Sequence, residues 1–591
     1  MQTKSILSSI ESPADLKERN LEELEELCAE IRRKIIQRTS GIGGNVSSNL
    51  GVVEAIVALH YVFNAPKDQI VFDTSHYTYC HKMLTGRAIA YEEGCFDLVS
   101  TYTAPEESPF DLFELGHTST SISIAYGLAC ARDIMNGDEY VIPFIGDGSV
   151  SGGVALEGLH LAGDLRKFII ILNDNGYSIS KCDGKFYDHL KSISKQDGDN
   201  IFNIFGYKYI SVENGNDLSA LVSAFEKAKD FGGSAVVHIH TQKGKGYDHA
   251  EENPENFHWQ APYDSLTAHS SIHKSKWHSE QIFADFFINK VLPEDPHAVC
   301  VCAGTPKYIG FDQTKREKVK DNFIDVGICE QSAVAVCAGL KKRGCNPIIG
   351  IEYSFLKRAY DQICQELAIN KIGTTIVAFH SSVFGQKAKT HLGIGAIPML
   401  THIPDLYVYA PVSMDEFARL LDLAVFKRPE SLIDKPIVIL APSIRMDSIK
   451  ISPVRHLLAY KFSSYFQLSS KADSHKVAII GVGDFFDLAY DVARHLNKDF
   501  GIDVKLVNPC LLSHFPYDVS YEFDPYELVV VLEPGIAEGG YGQRLAAILD
   551  KKILLRGISK TYRHFYDIDR ILAESRLTED LLVEDIIAEL D

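Results

Sequence analysis

An aspartate in Gly146-Asp147-Gly148 and an asparagine in Asn173-Asp174-Asn175 are the residues whose types and spacing point most directly to chemistry. Each cluster follows an apolar run, EYVIPFI before the first and FIIIL before the second. Such runs read as buried strands, and the stretch between them, VSGGVALEGLHLAGDLRK, opens on glycines and continues as a helix. A strand–helix–strand unit in a parallel sheet puts both strand tips on one edge, where open α/β sheets bind ligands. One carboxylate and one carboxamide are hard oxygen donors suited to Mg²⁺, which takes few protein ligands and completes its shell with substrate phosphates. The pair predicts a diphosphate held through a metal ion and not through a lysine loop. No GxxxxGKS/T segment or GxSxG elbow occurs, and GVGDFF at 481–486 lacks the third glycine of a dinucleotide turn.

The elements that must carry these residues repeat along the chain. Its 591 residues suggest about three or four domains. Up to residue 275, LEELEELCAEIRRKIIQRT has helical periodicity, and IVF, YVIPFI, FIIIL, YKYISV and AVVHIHT read as strands. A polar stretch without periodicity, 252–277, reads as a linker. HAVCVCAG, FIDVG, NPIIGIE, TTIVAFH, LYVYAP and PIVILAP then supply a second set of strands, and VAIIG, VKLVNP and ELVVVLEP a third. The expected fold is α/β in three domains, each a largely parallel sheet flanked by helices, with boundaries at 1–275, 278–455 and 465–591. A net charge of −20 without a basic stripe excludes nucleic acid and anionic membranes as expected partners. No run approaches the roughly 18 apolar residues of a membrane span. The twelve cysteines show no framework or zinc spacing, and the N-terminus lacks signal and transit character, so a cytoplasmic protein with reduced thiols is expected.

Beyond the 146–175 unit, the segments 47–87, 114–133, 323–340 and 354–369, and more weakly 390–411, resemble the 1-deoxy-D-xylulose-5-phosphate synthase family of the transketolase superfamily. The similarity runs from about residue 13 to the end and implies thiamine diphosphate and Mg²⁺ as cofactors and a homodimer. It implies decarboxylative ligation of pyruvate to D-glyceraldehyde 3-phosphate. Residue by residue, Asp147, Asn175 and a backbone carbonyl at Tyr177 would hold the metal, with Gly146, Gly148 and Ser149 beside the diphosphate. Glu330, at the start of a helix after FIDVG, would hydrogen-bond the cofactor's pyrimidine nitrogen, so that the ring's own amine acts as the base. Phe355 would pack on that ring, and His76, His117, Ser119, Ser121 and Lys243 would also line the cofactor. His76 and His391 join Glu330 as expected catalytic residues, and Asn45, His258, Arg358, Lys387 and Ser443 would face the substrates.

The departures from the family lie on the substrate side. Asn45 stands where the family has a histidine, and an amide cannot shuttle a proton at neutral pH. Ser332, Asn216 and Glu352 replace two histidines and an aromatic residue, and Lys387-Ala388-Lys389 replaces an Asp-Gly-x turn. Of the family's phosphate-gripping arginines, one falls in the shortened stretch 380–385 and another aligns with Ser443, while Arg358 remains. The segment after Ser180 is also shortened. The chain is thus expected to activate its cofactor normally and to grip the acceptor phosphate weakly, with Lys387, Lys389 or Arg445 as substitute cations. A transketolase-like paralogue with another small aldehyde, sugar phosphate or keto acid, or a silent cofactor-binding homologue, is the alternative.

Overall fold

The computed structural model describes residues 5–193, 200–270, 278–386, 388–443, 463–468, 475–563 and 567–591. It divides into one unit of Met1–Lys274 with Gly327–Cys329 and a second of Ser275–Val326 with Glu330–Asp591. The first unit holds one sheet: β1 (Gln69–Phe72), β2 (Val141–Gly146), β3 (Phe168–Asp174), β4 (Lys208–Val212) and β5 (Ser234–His240). The strands lie in the order β1-β2-β3-β5-β4, all parallel. Every residue of β3 is buried, as the uninterrupted FIIIL run requires of a central strand covered on both faces. The helix Leu21–Ile42 buries one stripe, Leu24, Leu27, Cys28, Ile31 and Ile35, against this core. Its N-terminus is fixed reciprocally by Asn20 and Glu23.

The second unit holds two sheets. One contains β6 (Ala298–Cys302), β7 (Phe323–Asp325), β8 (Asn346–Glu352), β9 (Thr375–Phe379), β10 (Tyr407–Tyr409) and β11 (Ile437–Leu440), in the all-parallel order β10-β11-β9-β8-β6-β7. The other contains β12 (Ser463–Leu468), β13 (Lys476–Gly481), β14 (Asp503–Asn508), β15 (Leu528–Ile536) and β16 (Lys552–Ile558), in the order β12-β14-β13-β15-β16. Here β12 runs antiparallel to β14 and the other pairings are parallel. A single core of Ile349, Ile376 and Val408 with Ala478, Val507 and Val531 joins the two sheets.

The α/β class with largely parallel sheets is as expected, and each strand read from an apolar run is present. The edge strands β12 and β16 were not foreseen. SSYFQL and KILLRGI are partly polar in sequence, and KILLRGI buries only part of its length, as an edge strand can. The expected linker is corrected in its first half: Phe257 and Tyr263 are buried in the first unit's core, and Gln260 bridges to Gly44. Residues 271–277 lie outside the described residues. Among the described residues no helix is long and apolar enough to cross a membrane.

Candidate active site

In the first unit, β2 and β3 are paired in register from Val141↔Phe168 to Gly146↔Asn173, so Asp147 and Asn175 emerge side by side at the C-terminal edge. Asp147 is 2% exposed. Its Oδ1 accepts from the Gly148 amide at 2.9 Å and its Oδ2 from the Gly176 amide at 2.8 Å. Burial, and then the neighbouring Asp174 carboxylate, push the Asp147 carboxyl far above the usual range. Burial alone would raise Asp174 as well, but His238 at 3.1 Å and the more distant His240 hold it low. Asn175 turns inward on its own loop, its Oδ1 accepting from the Tyr177 amide at 3.1 Å. Two carboxylates and an amide oxygen at one buried edge form a donor set that favours a small divalent cation.

The loop after β3 is held close to this edge. A Cβ at Gly148 would lie 2.5 Å from Ser178 Cβ, so only glycine allows the approach. Lys243 is buried and donates to the Ser178 carbonyl, with its ammonium 5.8 Å from the Tyr177 ring centroid. Burial lowers the Lys243 pKa, and Asp147 counteracts this in part. Lys243 Nζ also lies 3.4 Å from His258 Nδ1. The His258 ring sits 5.1 Å from that of His76, and its carbonyl accepts from Asn45 Nδ2 at 3.0 Å. The structure therefore brings Asn45, His76, Tyr177, Lys243 and His258 together around the Asp147 edge. Burial, and then Lys243, push the His76 imidazole down to about 3, and its Nε2 is buried with no hydrogen-bond partner.

The turn carrying His117, Ser119 and Ser121 is fixed by Asp73, which the sequence reading did not single out. This fully buried carboxylate follows β1 and accepts from the amides of Ser119 at 2.9 Å and Ser121 at 3.0 Å. Ser119 adopts a left-handed φ of +73°, and its hydroxyl donates to the Ser149 carbonyl at 2.8 Å. That proton is spent inside the protein, and the buried Ser121 hydroxyl lies beside the Asp73 carboxylate. Asn49 fixes the next turn by donating to the His76 carbonyl and accepting from the Tyr79 amide, each at 2.9 Å. Asp73 and Asn49 had a faint signal in the sequence, since each is polar beside an apolar run. Their backbone partners are tertiary.

In the second unit, Glu330 opens the helix Glu330–Lys342 and is 3% exposed. Burial raises its pKa, and Arg358, 3.5 Å away, opposes the rise. Arg358 lies one turn beyond Phe355, whose ring meets the buried His391 edge-on at 5.4 Å. Thr390 Oγ1 lies 2.8 Å from His391 Nδ1. At the tips of β8 and β9, His380 stands between Glu280 at 3.2 Å and Glu352 at 3.3 Å, and Gln386 donates to Glu352. Burial would lower His380, but Glu352 and Glu280 raise it well above its ordinary value. Ser443 lies in a cluster where its amide donates to Asp484 at 3.1 Å and the Ser382 hydroxyl donates to the same carboxylate. Lys387 and Arg445 lie outside the described residues.

The donor set fits Mg²⁺ and a diphosphate, and the buried Glu330 with the Phe355 ring fits an aromatic nitrogen heterocycle. Family models match the chain in order. "1-Deoxy-D-xylulose-5-phosphate synthase" matches residues 7–200, and the transketolase thiamine diphosphate binding domain 124–284. The transketolase pyrimidine binding domain matches 283–443 and its C-terminal domain 467–582. A 1-deoxy-D-xylulose-5-phosphate synthase of Caldanaerobacter subterraneus is 32% identical, covering 94% of this chain and 93% of that protein. One from Clostridium acetobutylicum is 33% identical over 91% of each. One from Syntrophotalea carbinolica is 36% identical over 70% of this chain and 72% of its own. With similarity of this extent and order, the chain belongs to the 1-deoxy-D-xylulose-5-phosphate synthase family.

Proposed function

We propose that the protein is a thiamine diphosphate- and Mg²⁺-dependent transferase that joins two carbons of pyruvate to D-glyceraldehyde 3-phosphate, giving 1-deoxy-D-xylulose 5-phosphate and CO₂. The observation that carries the reading is that a chain of this family retains a buried, cation-seeking Asp147 and a buried Glu330. Thiamine diphosphate, when bound, would supply the carbon nucleophile and the electron sink that decarboxylation of pyruvate needs. The chain's own residues do the rest. Asp147, Asn175 and the Tyr177 carbonyl would hold the metal, and Gly146, Gly148, Ser149, Ser121 and Lys243 would line the diphosphate. Glu330 would hydrogen-bond the pyrimidine nitrogen, and Phe355 would orient the ring. His76 is neutral at physiological pH and so suits a hydrogen bond to a substrate oxygen, with His258 on the substrate side, His117 beside the cofactor and His391 as a further catalytic residue.

The reading extends to three domains at 1–275, 278–455 and 465–591, and to a homodimer, on the strength of the resemblance. Twelve cysteines without a disulfide suit the reducing cytoplasm. The direct test is to supply pyruvate and D-glyceraldehyde 3-phosphate with thiamine diphosphate and Mg²⁺, and to measure CO₂ and ketose phosphate, omitting each component in turn. Release of CO₂ without ketose phosphate would overturn the acceptor assignment, and no release at all would overturn the reaction. Sedimentation equilibrium checks the dimer.

A further inference from the structure

Glu330 and Arg358 form a pair that the proposed reaction does not by itself require. The carboxylate is buried at the first position of a 13-residue helix, and the guanidinium, 20% exposed, lies 3.5 Å away on the turn that follows Phe355. Three influences meet on the carboxylate. Burial favours its protonated form, while the helix N-terminus and Arg358 favour the ionised one. Among the described residues, Arg358 is the ionisable side chain that opposes burial at this carboxylate. A carboxyl that is to share a proton with a ring nitrogen must hold that proton reluctantly beforehand, or it enters the contact already neutral and with its donor direction unset. A guanidinium on the same turn as the ring-packing Phe355 does both jobs, setting the charge and aiming the carboxylate.

Resting on the proposed role of Glu330, we propose that Arg358 is a positioning residue for Glu330: it keeps the carboxylate ionised and oriented before the pyrimidine ring arrives, so that ring binding draws one proton from solvent. The proton balance is simple. An ionised Glu330 and an unprotonated ring nitrogen together lack the one proton that their hydrogen bond needs, and that proton comes from the buffer.

The experiment is titration calorimetry of the cofactor-free protein with thiamine diphosphate at saturating Mg²⁺, in buffers of different ionisation enthalpy, across pH 5 to 9. The heat's dependence on buffer counts protons taken up per cofactor, and the Glu330→Gln protein supplies the baseline from the diphosphate itself. The wild type is expected to take up about one proton more than Glu330→Gln at high pH, falling away as Glu330 becomes protonated in the free protein. Arg358→Met should move the midpoint of that fall upward by about one to three pH units, the range for removing a cation beside a carboxylate. Arg358→Lys should recover part of the shift and guards against a folding defect. An unchanged midpoint in Arg358→Met, or equal uptake in the wild type and Glu330→Gln, would overturn the proposal. Because calorimetry needs no turnover, a wild type that shows the proton count but makes no ketose phosphate would overturn the reaction and leave the pair standing.

Discussion

Asp147 and Glu330 are both buried carboxylates, yet they call for different tests because they serve different ends. At Glu330 the expected loss is in rate. Glu330→Gln keeps the shape of the contact but not the proton, so turnover should fall by about 10²–10⁴-fold while cofactor affinity changes little. Steady-state rates beside binding isotherms separate the two, and a variant retaining a tenth of the activity would remove Glu330 from this role. At Asp147 the expected loss is in affinity. Asp147→Ala should shrink the rise in melting temperature that Mg²⁺ plus thiamine diphosphate gives the wild type, a rise equal to about 2.7 kcal/mol at a hundredfold excess over Kd. Ser443 makes the third case. One charge-assisted hydrogen bond to a phosphate is worth about 1.5–3 kcal/mol, or roughly 10–10²-fold. The wild type should therefore discriminate only weakly between D-glyceraldehyde 3-phosphate and glyceraldehyde. Ser443→Arg alone should widen the preference only modestly, because Asp484 would claim the new guanidinium. Adding Asp484→Asn should release the full gain, as kcat/KM on the two aldehydes would report.

At the scale of elements, the diphosphate edge depends on turns packed closer than side chains normally allow. The segment 176–182 closes over Gly148 through its own bonds, Ser178 to Ser180 and Cys182 to Gly176, both at 2.9 Å. Gly148→Ala would drive a methyl into Ser178 and push that segment outward, an overpacking cost of about 1–3 kcal/mol. The expected outcome is a lower melting temperature together with a larger loss of Mg²⁺-dependent stabilisation than the fold itself suffers. Equal stabilisation of variant and wild type by metal and cofactor would show that the close approach is incidental to the site. The same segment carries a hairpin-like bridge from Tyr177 to Lys181, which ties down the proposed metal-ligand turn.

For the molecule as a whole, acid sensitivity should originate in the first unit. His60 Nε2 lies 2.8 Å from His81 Nδ1, and His81 Nε2 lies 2.8 Å from Asp111 Oδ1. Arg87 grips the same aspartate at 2.7 and 2.8 Å. Burial holds His60 well below its ordinary value, with His81, Lys17 and Arg87 adding to the effect. Burial lowers His81 also, against the pull of Asp111. A histidine kept neutral in the folded state is protonated only in the unfolded chain once pH drops below about 6.5, so stability is lost as pH falls through that value. Each such histidine contributes about 1.4 kcal/mol per pH unit. His380 runs the other way: its raised pKa gives stability that is full below about 6.5 and lost as pH rises through the elevated value. Differential scanning calorimetry from pH 7.5 to 5.5 should show a falling melting temperature. His60→Gln should flatten that slope, and an unchanged slope would locate the sensitivity elsewhere.

What the sequence determined by itself were features written in short range. The apolar runs reveal the central strands, because a strand buried on both faces admits few polar residues, and Asp147 and Asn175 stand out because they end two such runs. The same logic places Glu330 at a helix start after FIDVG. The tertiary structure alone decided which polar groups spend their hydrogen bonds within the protein. Ser119 donates to Ser149, Asn45 to His258, and Asp73 takes two amides from a turn nearly fifty residues away. It also put Arg358 against Glu330, two residues that the sequence separates by a strand and reads as serving different partners. No periodicity encodes such pairs. Their geometry follows from strand order and from the close packing of the turns at the sheet edge, which become defined only when the β-sheet assembles.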